Sequence, residues 1–242
     1  MGTIEQDGFL SPEIQDFRDR TRTHFRARVR ECEEISRQAT LQIFAEEIAI
    51  PTVSGLTAAS LWTRCLSGCQ AAILLAERGM GVDALALLRT AYENLFFSAA
   101  LLKRPSIIAR LAGEDTNQRV QQARAMLKDA QICAALTDTD RELLETFLRE
   151  TAEVKKSISA FEAAEIAGMT GVYHGAWRTF SLVAAHSNLT SAGHAFGSYL
   201  LDLRFGPSFE NVDAALGLAR DCIRLGIEAV APLFKADNAE ES

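Results

Sequence analysis

The stretch Val82-DALALLRTAYENLFFSAAL-Leu102 decides the fold. Its apolar residues fill nearly every face of a helix, so it must be buried on all sides, in a bundle core or in a membrane. Arg89, Glu93 and Asn94 sit mid-span. An arginine or an acid at a bilayer centre costs about 2.5–3.5 kcal/mol on insertion scales. The stretch therefore reads as the central helix of a helical bundle rather than a membrane span. Gly79-Met80-Gly81 precedes it, and a second apolar helix is expected from Leu56 to Glu77, closed by Gly79 as its C-terminal cap. So short a connection makes the two helices antiparallel neighbours.

Helical punctuation continues on both sides. Ser11-Pro12-Glu13 combines a capping hydroxyl, a proline at the first turn and an acid at the positive end of the helix dipole. Ile14, Phe17, Thr21, Phe25, Cys32, Ile35 and Ile43 then recur near helical spacing, until Ile50-Pro51 breaks the run. Pro105 ends the central helix. Thr139 through Glu142 fits a capping box, followed by an amphipathic face of Leu143, Leu144, Phe147, Leu148, Val154 and Ile158. A helix is expected from Val172 to Ser187 and a last one from Ser208 to Val230, with Pro232 near its end. Between them residues 190–207 are rich in glycine, and their YLLDLRF run is a candidate short strand. The resulting expectation is an all-α, mostly antiparallel helical bundle with a protruding helical hairpin, in one domain over residues 1–242. Within it lie an N-terminal basic helix (11–50), a central helix pair (56–103), the hairpin (106–158) and C-terminal helices (172–235).

The chain has 242 residues with 48% hydrophobic content, enough for a sizeable core. A net charge of −7 argues against a general nucleic-acid binder. The first residues lack the basic start and apolar core of a signal peptide, and Gln6 does not complete a myristoylation pattern. A cytoplasmic protein with no membrane association is expected. Five cysteines without framework spacing read as reduced thiols.

Candidate chemistry lies where polar residues interrupt apolar helices, because a buried charge needs a partner. Arg89 and Glu93 share a helix face at i, i+4. Two readings stand: an ion pair that fixes packing, or a base (Glu93) beside an anion holder (Arg89), with Tyr92 next to them. Tyr173, Arg178 and His186 lie on the later helix Val172–Ser187, with Ser187 and Asn188 beyond. His186 near a helix end is either a cap or a general acid–base facing Glu93. The candidate catalytic residues are thus His186 and Glu93. The candidate ligand-binding residues are Arg89, Tyr92, Tyr173, Arg178 and Asn188.

No cofactor and no metal are expected. HExxH is absent, His174 and His194 have no recognised ligand spacing from His186, and Cys65 and Cys69 have no His or Cys near them to complete a set. Neither GxSxG nor a glycine-rich phosphate loop occurs. Arg18, Arg22, Arg26 and Arg30 form an i, i+4 ridge that either tracks an RNA backbone or is a solvated face balanced by nearby acids, with Asp16–Arg20 and Arg30–Glu34 at pairing spacing. The 106–158 hairpin is a candidate docking element for a protein partner.

The combination Leu88-Arg89-x-x-Tyr92-Glu93 with Tyr173…Ser181…His186 resembles an all-helical bacterial family of unknown function, over residues 56 to 190. That resemblance implies a fold and no activity. More distantly, Arg178 and His186 on one helix resemble the HEPN-type helical domains, many of them metal-independent ribonucleases of toxin and defence systems. The resemblance implies a homodimer in which His186 activates a ribose hydroxyl and Arg178 holds the phosphate. Seven residues separate the two here, more than in the usual motif, and Thr179 stands where that motif prefers an amide, acid or histidine.

Overall fold

The structure is a computed structural model, and it describes residues 2–45, 48–151, 156–184, 192–193, 203 and 205–234. It is an all-α bundle. In chain order the helices are α1 (Ile4–Asp7), α2 (Ile14–His24), α3 (Arg26–Ala45), α4 (Val53–Glu77), α5 (Gly81–Lys103), α6 (Ile108–Lys128), α7 (Ala130–Ala135), α8 (Asp138–Glu150), α9 (Ala160–Ala167), α10 (Thr170–Val172), α11 (Arg178–Val183) and α12 (Val212–Phe234). A π-helical turn, Tyr173–Trp177, joins α10 to α11.

The antiparallel pair α4–α5 forms the centre, as its apolar composition requires. Thr52 caps α4 by accepting from the Gly55 amide at 3.1 Å. At the other end Gly79 takes φ +77°, and the Met80 amide reaches back to the Leu75 carbonyl at 3.0 Å. This left-handed residue closes the helix and reverses the chain. A side chain at Gly79 would also collide with Phe17 and Pro207.

The last helix, α12, packs against α3, α4 and α5. Small residues are frequent in this core: Ala58, Ala72 and Ala76 of α4, Ala84 and Ala91 of α5, and Ala215 and Ala219 of α12 are all buried. Trp62 of α4 packs against Gly226 of α12, where a Cβ would lie only 2.0 Å from an atom of the indole ring. Tyr92 of α5 donates its hydroxyl to the Leu218 carbonyl of α12 at 2.9 Å, and Ser98 donates to the Ala58 carbonyl of α4 at 2.8 Å. Outside this core, Arg28–Asp213 (3.2 Å) and Arg220–Glu31 (2.7 Å) tie the rims of α3 and α12.

Helices α6 to α8 form the hairpin. It packs mainly on itself, and α7 and α8 bury no residue completely. Thr137, not Thr139, caps α8: its backbone is extended, its Oγ1 accepts from the Asp140 amide at 3.1 Å, and Asp140 accepts from the Thr137 amide in return. The expected amphipathic helix stops at Glu150. Val154 lies outside the described residues, while Ile158 is buried beyond the helix end. Helix α9, absent from the sequence reading, starts on a Ser159 cap, ends at Gly168 with φ +73°, and has its Ala167 carbonyl bonded by Lys103 at 2.6 Å. The last helix begins at Val212 rather than Ser208, because Asn211 sits at φ +60°, outside helical space. Most of the YLLDLRF run lies outside the described residues.

The N-terminal arginines are the main correction. The predicted first helix breaks at Phe25 (φ −104°, ψ 31°), so Arg18 and Arg22 belong to α2 and Arg26 and Arg30 to α3. Arg18 and Arg22 do not form an outer ridge. Both turn onto Glu77, which is only 2% exposed: Arg18 Nε lies 2.7 Å from it, Arg22 bonds its other oxygen, and Arg22 also holds Glu33 at 2.6 Å. Arg20 rests over the Phe17 ring, while Arg30 pairs with Glu34 at 2.7 Å as its spacing predicts.

Two outcomes follow from this packing. Gly226→Ala gains about 1 kcal/mol of helix propensity but drives a methyl into a rigid, fully buried indole, and overpacking costs about 1–3 kcal/mol. A lowered urea midpoint is expected; an unchanged or raised one would show that α12 can shift away. Removing both Arg18 and Arg22 strands a sealed carboxylate and should cost about 3–5 kcal/mol. Glu77→Gln should cost less, because both guanidinium groups, 29% and 34% exposed, can turn to water. Equal losses in chemical denaturation would contradict that asymmetry.

Candidate functional site

Arg89 and Glu93 of α5 lie one turn apart on the helix. They pair at 3.6 Å and remain 27% and 35% exposed. The apolar run suggests burial, but the pair is not sealed. It lies on the floor of an open cleft of about 590 Å³. Thr90, Asn94 and Phe97 of α5 extend the floor. Leu111, Glu114, Asp115 and Gln118 of α6 form one wall, and Ile158, Ser159 and Ala160, at the start of α9, form another.

The π turn holds the pair from the side. Tyr173 and Trp177 stack with ring centres 4.7 Å apart and planes at 17°. Trp177 then places its ring beneath the Arg89 guanidinium, 4.5 Å from the centroid, and its indole N–H donates to Glu93 at 3.3 Å. Arg89 Nε donates to Ser181 Oγ at 2.9 Å, and Ser181 donates in turn to the Trp177 carbonyl at 3.1 Å. Two of the nitrogens of one guanidinium are thus fixed, and a π-facing contact sets its plane. Trp177 escaped the sequence reading. Its spacing of four from both Tyr173 and Ser181 puts the three on one helical stripe, which is the pattern that could have found it.

The remaining sequence candidates separate. Tyr92 does not face the cleft: it is 1% exposed, bonded to Leu218, and burial raises its hydroxyl far above the ordinary range. Tyr173 packs among Phe96, Phe161 and Trp177. Arg178 is exposed on α11, and His174 is exposed against Phe161 and Tyr173. His186, Ser187, Asn188 and His194 lie outside the described residues. Beside the cleft, Arg110 holds Glu162 in a two-pronged pair and bonds the Ser157 carbonyl, which keeps the Glu162 carboxyl below its ordinary pKa.

The cysteines overturn one expectation. Cys65 and Cys69 do find a third thiol, Cys222 of α12, which the sequence separates from them by the length of the bundle. Their sulfurs all lie within 4.8 Å of one another, and the three residues have no exposed surface. Burial raises Cys65 and Cys222 well above the usual thiol range, while S–H donation from Cys222 and Cys65 makes Cys69 the lowest of the three.

No described helix is long and apolar enough to cross a membrane. Residues 56–199, more than half of the chain, match the family described as Family of unknown function (DUF5677). No relationship to HEPN domains is shown. No curated protein and no solved structure gives a significant match. The matched residues include α4 from Leu56 onward, α5, the hairpin and the π turn, and so the whole described cleft.

Trp177 reports on this arrangement, since Trp62 is the other tryptophan and is fully buried. Arg89→Ala removes a cation–π contact of about 0.5–1 kcal/mol and a hydrogen bond to Ser181. Its expected effect is a red-shifted emission and stronger acrylamide quenching of Trp177 in a protein that stays folded. Unchanged emission would mean that the indole is held without Arg89.

Proposed function

We propose, from the premise that the chain belongs to this family of unknown function, that it is a ligand-binding helical protein whose cleft takes a small polar zwitterion. One observation carries the reading: an ion pair on an otherwise apolar helix is left about one third exposed at the floor of an open cleft instead of being sealed. The Glu77 carboxylate, at 2% exposure, is closed over by its partners, whereas Arg89 and Glu93 keep hydrogen-bonding capacity open to the cleft. The volume of about 590 Å³ falls in the range of small-molecule sites.

The charges favour a ligand with both signs. Three carboxylates, Glu93, Glu114 and Asp115, line the cleft with one guanidinium, Arg89. Arg119 neutralises Asp115 at 2.9 Å, and the Gln118 amide donates to Glu114 at 3.0 Å. Glu114 has the greater capacity to receive an amine. Arg89, steadied by Trp177 and Ser181, offers its free N–H groups to an acidic group. Phe97, Leu111 and Ile158 supply apolar surface between the two. In this reading Arg89 and Glu93 orient the ligand, Tyr92 holds the fold, and residues 1–242 act as one domain.

Titration calorimetry with a panel of free amino acids and small diamines or diacids tests it. Zwitterions should bind and the single-sign compounds should not. Arg89→Ala and Glu114→Gln should each weaken binding by about ten- to a hundredfold, the value of a hydrogen bond to a charged group. No binding at millimolar ligand by folded protein, or binding indifferent to both substitutions, would sink the proposal.

A further inference from the structure

We propose that Cys65, Cys69 and Cys222 form a binding site for one trivalent thiophilic metalloid, of which arsenite is the simplest soluble form. The site is independent of the cleft. Its ligands come from two helices: Cys65 and Cys69 at i, i+4 on α4, and Cys222 on α12.

Distance supports three-sulfur coordination. With bonds to sulfur of about 2.3 Å, sulfurs around a three-coordinate centre lie about 3.5–4.0 Å apart. Cys65 Sγ and Cys222 Sγ are 3.6 Å apart already, and all three sulfurs fit within 4.8 Å. Among the described residues no His, Asp, Glu or further Cys adds a fourth ligand atom to the group. Zinc in a closed site takes four ligands, so this set is one short for it.

Charge selects the class of guest. The three thiols lie in the apolar core among Trp62, Leu66 and Ile223. The forces acting on them are burial and one another, with none from a lysine, arginine or histidine. Three thiolates would leave a monovalent copper ion with a net charge of −2 and a divalent zinc ion with −1, and a net charge is costly to bury. A trivalent metalloid leaves zero. Counted from the neutral thiols, arsenous acid exchanges three As–O bonds for three As–S bonds. Each S–H proton leaves with one hydroxyl as water, so three waters are released and nothing is oxidised or reduced.

Binding joins α4 to α12 and therefore stabilises the bundle, which gives a readout beyond stoichiometry. The test incubates the reduced full-length chain anaerobically with sodium arsenite, desalts it, and reads it by native mass spectrometry and thermal melting. The expected result is one arsenic per chain with the loss of three hydrogens, and a raised melting temperature. Cys65→Ala, Cys69→Ala and Cys222→Ala should each abolish retention of that adduct. Cys32→Ala and Cys133→Ala, which change the other two thiols, should keep it. If a core variant does not fold, arsenic X-ray absorption of the adduct formed by the Cys32→Ala/Cys133→Ala double variant decides: three sulfur neighbours on one arsenic support the site, and retained oxygen neighbours overturn it. An adduct that persists in the three core variants, no adduct at all, or retention of copper(I) or zinc in preference to arsenic would each overturn the assignment.

Discussion

The close approach of α12 to the α4–α5 pair is the constraint on which the rest depends. It is possible because Gly226 offers no side chain where Trp62 lies, in a core in which buried alanines keep the helix surfaces low. Interhelical distances of about 8–10 Å leave room for an indole only if the opposite helix is bare at that point. Once α12 is seated, Tyr92 reaches its Leu218 carbonyl, and Cys222 arrives beside Cys65 and Cys69. The rotation of α5 about its own axis is then fixed. Its Tyr92 side is committed to the core, and the residues at 89, 90, 93, 94 and 97 are left for the cleft.

Two acidic residues show how environment assigns different roles to the same chemistry. Glu77 ends α4 beneath α2 and is closed over by two guanidinium groups; its charge pins the N-terminal helices to the core. Glu93 sits in a more apolar sequence yet keeps a third of its surface in solvent. The first helix of the hairpin and the residues leading into α9 rise as walls above α5 and leave a cleft there. The π turn then fills the flank with Trp177, whose ring and N–H address both members of the ion pair. Such a turn departs from regular helical hydrogen bonding and is frequent at functional sites.

Much of the fold was legible because its determinants are local. The Gly79 reversal, the two central helices and the all-helical class follow from residues within a few positions of one another. Errors arose where two local solutions compete. Thr137 and Thr139 both precede an acid at the third position, Asp140 and Glu142, and only the extended backbone at Thr137 chose between them. Phe25 continues the apolar spacing of α2 into α3, so periodicity alone does not reveal the break there. The short helix α9 is stabilised by Lys103, which is distant in sequence.

The sequence by itself determined which side chains share a helical face: Arg89 with Glu93, Cys65 with Cys69, Arg18 with Arg22. Those relations depend only on the 3.6-residue turn. Which faces meet was decided by the tertiary structure alone. Arg18 and Arg22 meet Glu77 rather than solvent, Cys222 completes the thiol group, and Trp177 settles beneath Arg89. The physical reason is that helical periodicity fixes direction around one axis, whereas the pairing of axes depends on the shapes of whole helix surfaces. In this chain a missing side chain at Gly226 and a row of alanines set those shapes, at positions far in sequence from the groups they bring together.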